Sequence, residues 1–563
     1  MRFTLHQHAA DREERVHFNR PLLESLVVTH GHHQCDFLVL GTGIAGLYFA
    51  LEVAARGQVI VLTKHRKENS NTRWAQGGIS AVFGPDDSIE SHVKDTMSVG
   101  AGLCDPEMVK HAVSLGPGLV SRLATKYGVQ FDPAPEPGAP FQLGREGGHS
   151  ARRVVHHRDS TGAEISRALL LAAERHPNIT ILEHHDAIDL LSWHKVDGTA
   201  GCFGCFALNV PAQRVEVFTA RVTVLATGGC GKVYRYTSNP PVATGDGIAM
   251  AYRIGADVGN LEFMQFHPTC LHHPDAKNFL ISEALRGEGG VLERADGSPL
   301  MDDKHPLGSL APRDVVAREI DAELKRSGDR CVHLNMTSLD GDYITGRFPG
   351  IHARCSTLGI DMRKQPIPVV PAAHYMCGGV SVDRSGRTSI PGLLAIGETA
   401  LSGLHGACRL ASNSLLEAVV LAEGAANVCP DFGRAPPPIS SNTRWDEGAA
   451  VNSDEAVMVS ANWEEFRAMM WNFVGIVRSD KRLARARRRV QLMRAEIDEY
   501  YWKFRVTPDV LDLRNIALVG DLIVESAGQR KESRGLHYTV DFPNSKTAFQ
   551  RSNIFNKSGG PKS

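Results

Sequence analysis

A strand-like run, Phe37-Leu38-Val39-Leu40, leads straight into Gly41-Thr42-Gly43-Ile44-Ala45-Gly46, and this junction constrains the fold more than any other feature of the chain. In a strand–turn–helix, Gly41 permits the tight turn and Gly43 lets backbone N–H groups approach a pyrophosphate at the helix N-terminus. Gly46 lets helix and strand pack closely. A lone GxGxxG says little. Here Leu47, Ala50, Leu51 and Ala54 follow at helical spacing and Val59 to Leu62 supplies a second strand, completing a βαβ unit of about 30 residues. The reading is a dinucleotide cradle. The acidic residue expected about 20 residues on, to hold an adenosine ribose, is missing, because the second strand ends in Thr63-Lys64. That weakens a nicotinamide-dinucleotide reading and makes Lys64 a candidate contact for phosphate or ribose oxygens.

At 563 residues the chain exceeds one ordinary core, so two or three domains are expected. With 62 Lys+Arg against 63 Asp+Glu, bulk electrostatics give no reason to expect nucleic acid or an acidic membrane as partner. No apolar run reaches the roughly 18 residues needed to span a bilayer, and the N-terminus lacks the basic-then-apolar layout of a secretory signal. A small-molecule partner and a cytoplasmic location are expected. Eleven cysteines scattered singly do not form a disulfide framework, which fits a reducing compartment. The one CxxC, Cys202-Phe203-Gly204-Cys205, has no second pair to complete a zinc site, so no metal is expected. Residues 1–34, rich in His and charge but without periodicity, read as a disordered extension whose His30, His32 and His33 are unliganded.

Two more strand-to-glycine switches follow, at Val224-Leu225-Ala226-Thr227-Gly228-Gly229 and at Leu394-Ala395-Ile396-Gly397-Glu398. If all three converge on one ligand, a single nucleotide-binding domain (35–260 and 372–434) is interrupted by an insertion at 261–371. The segment from Asp132 to Gly148, dense in Pro and Gly, reads as a surface loop or lid. A Pro-rich link (435–438) precedes helix-period patterns over 463–476, 481–504 and 511–526, which define a helical domain at 440–545 and leave 546–563 as a tail. The basic run from Lys481 to Arg489 would spread around a helix and face solvent or acidic neighbours.

The order of motifs carries a resemblance. The cradle, Ala75-Gln76-Gly77-Gly78, Ala226 to Gly229, Gly245-Asp246-Gly247, Gln265-Phe266-His267-Pro268-Thr269, Arg286-Gly287-Glu288-Gly289, Ala311-Pro312-Arg313-Asp314 and the Gly397-Glu398 turn resemble the succinate dehydrogenase and fumarate reductase flavoprotein family, from Cys35 to about Pro543. The resemblance implies an α/β FAD-binding (Rossmann-like) domain, an α+β capping domain inserted in it and a C-terminal helical domain. Within the family the chain is most similar to the branch that oxidises L-aspartate to iminoaspartate on the route to quinolinate and NAD. Arg145-Glu146-Gly147-Gly148-His149-Ser150, His374-Tyr375, Leu404-His405-Gly406 and Arg530 to His537 carry that narrower likeness. Many membrane-complex members attach FAD through a His four residues before the Ala75 position. Asn71 stands there in this chain, so FAD is expected to bind non-covalently.

By this resemblance Gly41, Thr42, Gly43, Ile44, Ala45, Gly46, Lys64, Asn71, Thr72, Ala75, Gln76, Gly77, Gly78, Ala187, Asp246, Glu398, Ser414 and Leu415 bind FAD, with Asp246 and Glu398 on ribose or ribityl hydroxyls. His267, Ser282, Glu283, His374 and Arg409 bind the dicarboxylate. Arg409 can grip a carboxylate with a planar fork, and the two imidazoles supply donors that strengthen on protonation. Arg313 resembles the family's proton-transfer arginine, working through a desolvated relay with Glu288 and Arg286. Glu146 is the discriminating residue, a carboxylate for the α-ammonium that succinate and fumarate lack. Reduced FAD is expected to be reoxidised by O2, giving H2O2, or by fumarate, and the product to pass transiently to quinolinate synthase. The alternative is a soluble fumarate reductase or succinate dehydrogenase flavoprotein. Cys408, where an Asn is usual, and Met376, where a small polar residue is usual, depart from the family pattern without removing a charged group.

Overall fold

The apolar run Phe37–Leu40 forms the end of strand β1 (His32–Leu40), which pairs in parallel with β2 (Val59–Thr63), Phe37 opposite Val59 and Leu40 opposite Leu62. The computed structural model describes residues 31–134, 140–194, 200–276, 279–430, 443–453, 456–557 and 559–562. Of two units, Met1–His32 and His33–Ser563, only the last two residues of the first are described. The disorder expected over 1–30, with His30, and the Pro-rich link at 435–438 lie outside the described residues.

The extension ends earlier than residue 34, because β1 already begins at His32. Its polar start has a tertiary cause. The His33 ring stacks on Phe218 at 4.4 Å and its Nε2 lies 2.9 Å from a carboxylate oxygen of Glu216. Strands β3 (Ile179–Glu183), β4 (His185–His194), β5 (Ala200–Asn209) and β6 (Arg214–Leu225) complete the main sheet in the order β3-β2-β1-β6-β5-β4, and Leu393–Ala395 adds in parallel to β6. Cys202 and Cys205 both lie on β5. Parallel strands covered on both faces read as near-continuous apolar runs, which is what 37–40 and 59–62 are.

Helix α1 (Ile44–Val53) is buried on nearly every side, consistent with its lack of a polar face, and packs against the later helix Asn413–Val428. Gly41 has φ +118°, and a Cβ there would sit 2.2 Å from the Ala226 carbonyl oxygen; one at Gly46 would sit 2.2 Å from the Gly41 carbonyl oxygen. Both glycines are therefore required for the turn to close on the second glycine switch.

After helix α2 (Asp246–Arg253) the inserted segment builds β7 (Met264–Leu271), β8 (Val291–Glu293), β9 (Val332–Asn335) and β10 (Ile367–Met376) into an antiparallel sheet ordered β7-β10-β9-β8. Leu285, Leu334, Phe348 and Val369 give it a separate core, and helix α3 (Arg313–Ser327) packs on β7. The boundary expected at 371/372 falls inside β10: one strand carries the cap's core at its start and His374-Tyr375 at its end.

Helix α4 (Asn413–Val428) returns to the nucleotide domain, and α5 (Ala456–Val474), α6 (Asp480–Lys503) and α7 (Pro508–Gln529) follow. Ser479 caps α6 by accepting from the Arg482 N–H, and Thr507 caps α7 by accepting from that of Val510. The arginines of α6 meet acidic neighbours, with Arg487 on Glu525, Arg489 on Glu465 and Arg494 on Asp521. The segment expected as a tail is built into the fold: Ile554–Asn556 pairs antiparallel with Val258–Gly259, placing Phe555 opposite Val258. Among the described residues no helix is long and apolar enough to cross a membrane.

Candidate active site

The three glycine switches meet on one cavity, whose wall runs from the Gly41 turn, past Asn71 to Gly78, to His267, Arg313 and Arg409. All but one of the cofactor residues expected from sequence line it. Gly46 does not, because it faces the Gly41 carbonyl and Ala226 instead. The Thr72 hydroxyl accepts from the Ile44 N–H at 2.9 Å, tying the Asn71–Gly78 loop to the start of α1.

Lys64 reaches the cavity wall with its charge already met. Its Nζ lies 2.8 Å from both Asp246 and Asp512 and 2.5 Å from the Thr244 hydroxyl. Burial works against the ammonium, but the two carboxylates hold its pKa above the usual value. The ammonium therefore orients Asp246, which also accepts from Asn515 Nδ2 at 2.9 Å, rather than standing free for a phosphate. Glu398 accepts from Asn71 Nδ2 at 2.9 Å and from the Met376 N–H at 3.1 Å, and burial pushes its pKa up to about 7.

Four buried polar atoms on this wall, Thr42 Oγ1, Asn71 Oδ1, Gln76 Oε1 and Asn239 Oδ1, have no hydrogen-bond partner among the described residues. Buried polar groups are nearly always paired, so an elongated wall carrying several orphans fits a polar ligand that supplies their partners. The residues present accordingly fit a dinucleotide such as FAD.

At the other end, β7 places Gln265 and His267 on one face, as strand alternation requires, and the end of β10 brings His374 and Tyr375 opposite. The His267 and His374 rings meet edge to face at 5.0 Å. Burial first, and then the guanidinium of Arg313, hold both imidazoles far below the usual histidine range. They stand neutral, not as the imidazolium donors expected from sequence. The Thr269 N–H donates to His267 Nδ1 at 3.2 Å, which leaves the ring hydrogen on Nε2; His374 Nδ1 lies 2.7 Å from the Ser238 hydroxyl.

Arg313 stands at the start of α3 and donates from Nε to Glu283 at 2.6 Å; Arg286 donates to the other Glu283 oxygen at 2.7 Å. Burial opposes the Glu283 charge, but these two guanidiniums keep its carboxyl below the usual range. The relay expected through Glu288 is corrected here. Glu288 faces Arg152 at 3.5 Å and the Tyr343 hydroxyl at 3.1 Å, whereas Glu283 joins Arg313 to Arg286. Ionised, Glu283 only accepts hydrogen bonds, so it offers a substrate carboxylate no donor and serves the site by holding Arg313 and Arg286. The neighbouring Ser282 contributes a hydroxyl to the wall.

Arg409 donates to the Gln265 side-chain oxygen at 3.0 and 3.2 Å and to the Ser414 hydroxyl at 2.7 Å; Arg313 donates to that same Gln265 oxygen at 3.0 Å. Among the described residues no carboxylate forms an ion pair with Arg409. Glu146 is its opposite. The residue is 3% exposed, and its carboxylate accepts from the Ser412 hydroxyl at 2.5 Å and has no ion-pair partner among the described residues. Burial and then the neighbouring Glu283 charge push its pKa up. Ser412 holds this position with a left-handed φ of 59°, immediately before α4.

Sequence reasoning passed over Gln265, Ser412 and Asp512 as site residues. Gln265 had a signal, two positions from His267 on a strand. Asp512 had none, since its partner Lys64 lies far away in sequence. Cys408 is buried behind the site and does not line the cavity, while the Met376 backbone serves Glu398.

Residues 36–415 match the family model described as FAD binding domain, and residues 463–558 match Fumarate reductase flavoprotein C-term. The chain is 51% identical to the L-aspartate oxidase of Vibrio cholerae, over 91% of this chain and 96% of that protein. It is 49% identical to that of Pseudomonas aeruginosa, over 91% and 96%, and 45% identical to the chloroplastic L-aspartate oxidase 2-a of Nicotiana tabacum, over 90% and 82%. An FrdA variant of Escherichia coli quinol fumarate reductase superposes with a TM-score of 0.82 at 27% identity, covering 94% of this chain and 96% of that one. Mycobacterium smegmatis Sdh1 in complex with UQ1 superposes with a TM-score of 0.77 at 30% identity, covering 94% and 92%.

Proposed function

This chain belongs to the L-aspartate oxidases, within the succinate dehydrogenase and fumarate reductase flavoprotein family, and from that premise we propose that it binds FAD non-covalently and oxidises L-aspartate to iminoaspartate, the first step toward quinolinate and NAD. The observation that carries the substrate assignment is a pair of unsatisfied charges on one wall. Among the described residues buried Arg409 has no carboxylate, and buried Glu146 no cation, within ion-pair distance, although the Arg313 and Arg409 guanidiniums act on Glu146 from farther away. A substrate that meets both must carry an anion and an ammonium, which aspartate does and succinate does not. Asn71 offers an amide where covalent relatives carry a histidine, which supports a non-covalent cofactor.

When bound, FAD supplies the two-electron acceptor for the hydride of the substrate Cα. The residues do the rest. Arg409 grips one carboxylate with its fork, while the Nε2–H of neutral His267, His374 and the Ser282 hydroxyl hold the other. Glu146 takes the α-ammonium, whose charge returns the carboxyl to its ionised form. As the hydride leaves Cα the α-ammonium gives up an N–H proton; Arg313, which lines the cavity, passes it toward the Glu283–Arg286 pair, with Glu283 within hydrogen-bond reach of both guanidiniums.

O2 and fumarate are the proposed final acceptors. Iminoaspartate is an imine that water hydrolyses, which supports a transient hand-off to quinolinate synthase. Eleven free cysteines, ten of them buried, support a reducing compartment such as cytoplasm.

The test is to release the flavin with acid, confirming a non-covalent cofactor, and then to mix the intact holoenzyme anaerobically with L-aspartate and with succinate. Bleaching by L-aspartate, with peroxide on readmitting air, is expected. Bleaching by succinate alone would make the chain a succinate or fumarate enzyme and leave Glu146 without its role.

A further inference from the structure

Arg409 rests on an aromatic face as well as on its hydrogen bonds. Its guanidinium carbon lies 4.2 Å from the centroid of the Tyr375 ring. At the ring edge, the Tyr375 hydroxyl donates to Glu417 Oε2 at 2.8 Å and lies 3.2 Å from His405 Nε2, which is itself 2.9 Å from that same oxygen. The Ser402 hydroxyl donates to the other Glu417 oxygen. Tyr375, His405 and Glu417 are all buried, and Glu417 sits on α4, the helix whose first turn carries Ser414. The phenol thus joins two groups: on its face a guanidinium that forms no ion pair with a carboxylate among the described residues, and at its edge the Glu417 carboxylate bound to the hydroxyl.

We propose that Glu417 is a positioning residue for substrate binding, which through the Tyr375 hydroxyl orients and electronically enriches the ring face that holds Arg409 toward the cavity. A guanidinium is drawn to a ring face by the ring quadrupole, and the attraction grows when both are desolvated. A hydroxyl that donates to a carboxylate pushes electron density into its ring. Burial and then Glu417 hold the Tyr375 phenol well above its ordinary pKa, so it stays a donor. The arrangement also answers a local difficulty. Arg409 and Arg313 share one neutral acceptor, the Gln265 oxygen, and repel each other. The ring supplies the electrostatic support that Gln265 cannot divide between them, and it leaves the open side of Arg409 for a substrate carboxylate.

The inference rests on the reading of Arg409 as the carboxylate clamp, so the experiment tests both. Oxidised holoenzyme is titrated with malonate, a dicarboxylate with no adjacent carbons to dehydrogenate, following the perturbation of the visible flavin spectrum. Flavin content and thermal midpoint are recorded for each variant. Glu417→Gln and Tyr375→Phe are each expected to raise the malonate Kd by about 3- to 30-fold, the range for a desolvated cation–π contact, with flavin content retained. Tyr375→Phe keeps the ring and removes only the hydroxyl that reaches Glu417 and His405, so it carries the test if Glu417→Gln does not fold. In the Tyr375→Leu background the Glu417→Gln loss is expected to vanish, because both changes act through one ring. Unchanged malonate binding in Tyr375→Phe and Glu417→Gln, or additive losses in the double variant, would overturn the proposal. If Arg409→Leu also binds malonate normally, the clamp reading itself fails.

Discussion

Lys64, at the end of β2, and Asp512, on α7, are 448 positions apart in the chain and 2.8 Å apart in the structure. The C-terminal helical part thereby reaches the wall of the nucleotide cavity directly. Asp512, Asp246 and Thr244 share the Lys64 ammonium, and Asp246 lines the cavity. Asp512→Ala should lower stability by about 2–3 kcal/mol, the loss of one charge-assisted bond while Asp246 remains as partner. It should also weaken FAD binding, because Asp246 loses its fixed orientation. Thermal unfolding with and without added FAD checks both, and an unchanged FAD affinity would leave the contact a purely structural one.

Glu146→Gln separates substrates. Removing the carboxylate that faces the α-ammonium should lower kcat/KM for L-aspartate by about 10²-fold or more, given the 2–5 kcal/mol cost of losing one partner of a buried charge pair. Fumarate reduction, whose substrate carries no ammonium, should fall far less. Steady-state rates with each substrate decide it; equal losses count against the ammonium role.

The same residue sets a pH dependence with a definite sign. Burial and the Glu283 charge raise the Glu146 pKa above the ordinary carboxyl value, so the folded protein binds this proton more readily than the unfolded chain. Keeping Glu146 ionised therefore costs stability at pH above its folded-state pKa, and that cost fades as pH falls toward the unfolded value. Glu146→Gln should raise the thermal midpoint at neutral pH and lose this advantage in acid. In the wild type, kcat/KM for L-aspartate should fall as pH drops through the raised pKa, and this limb should be absent in the variant.

Glu283 holds two guanidiniums with two oxygens. Glu283→Gln leaves Arg286 and Arg313 buried without their shared anion, a change of about 3–5 kcal/mol in stability. Activity should be lost even where the fold survives, since Arg313 then has no carboxylate to exchange a proton with. Flavin-bound protein that neither oxidises aspartate nor reduces fumarate is the expected outcome, and retained turnover in either direction would remove Glu283 from the proton path.

The cradle was legible from sequence because its chemistry is local: Gly41, Gly43 and Gly46 act on neighbours within a few residues, and the β1–α1–β2 period shows at once. The convergence of Glu146, His267, Arg313, His374 and Arg409 was legible only as an ordered set of motifs. What sequence missed depends on contacts between distant segments. His33 reads as a polar tail residue until Phe218 and Glu216 arrive beside it. Glu283 and Glu288 flank one short helix, Ala284–Gly287, and only its turn decides that Glu283, rather than Glu288, meets Arg313. The charge on Lys64 looked available because nothing near it in the chain announces Asp512.

The strand formed by residues 554–556 has a consequence for how the molecule is made. Its partner, Val258–Gly259, also pairs with Gly379 and Val380, so one small sheet gathers the middle and the end of the chain. During synthesis that edge stays open until residues 554–556 have left the ribosome. The nucleotide domain, although its first strand, His32–Leu40, is made long before, is not finished until then.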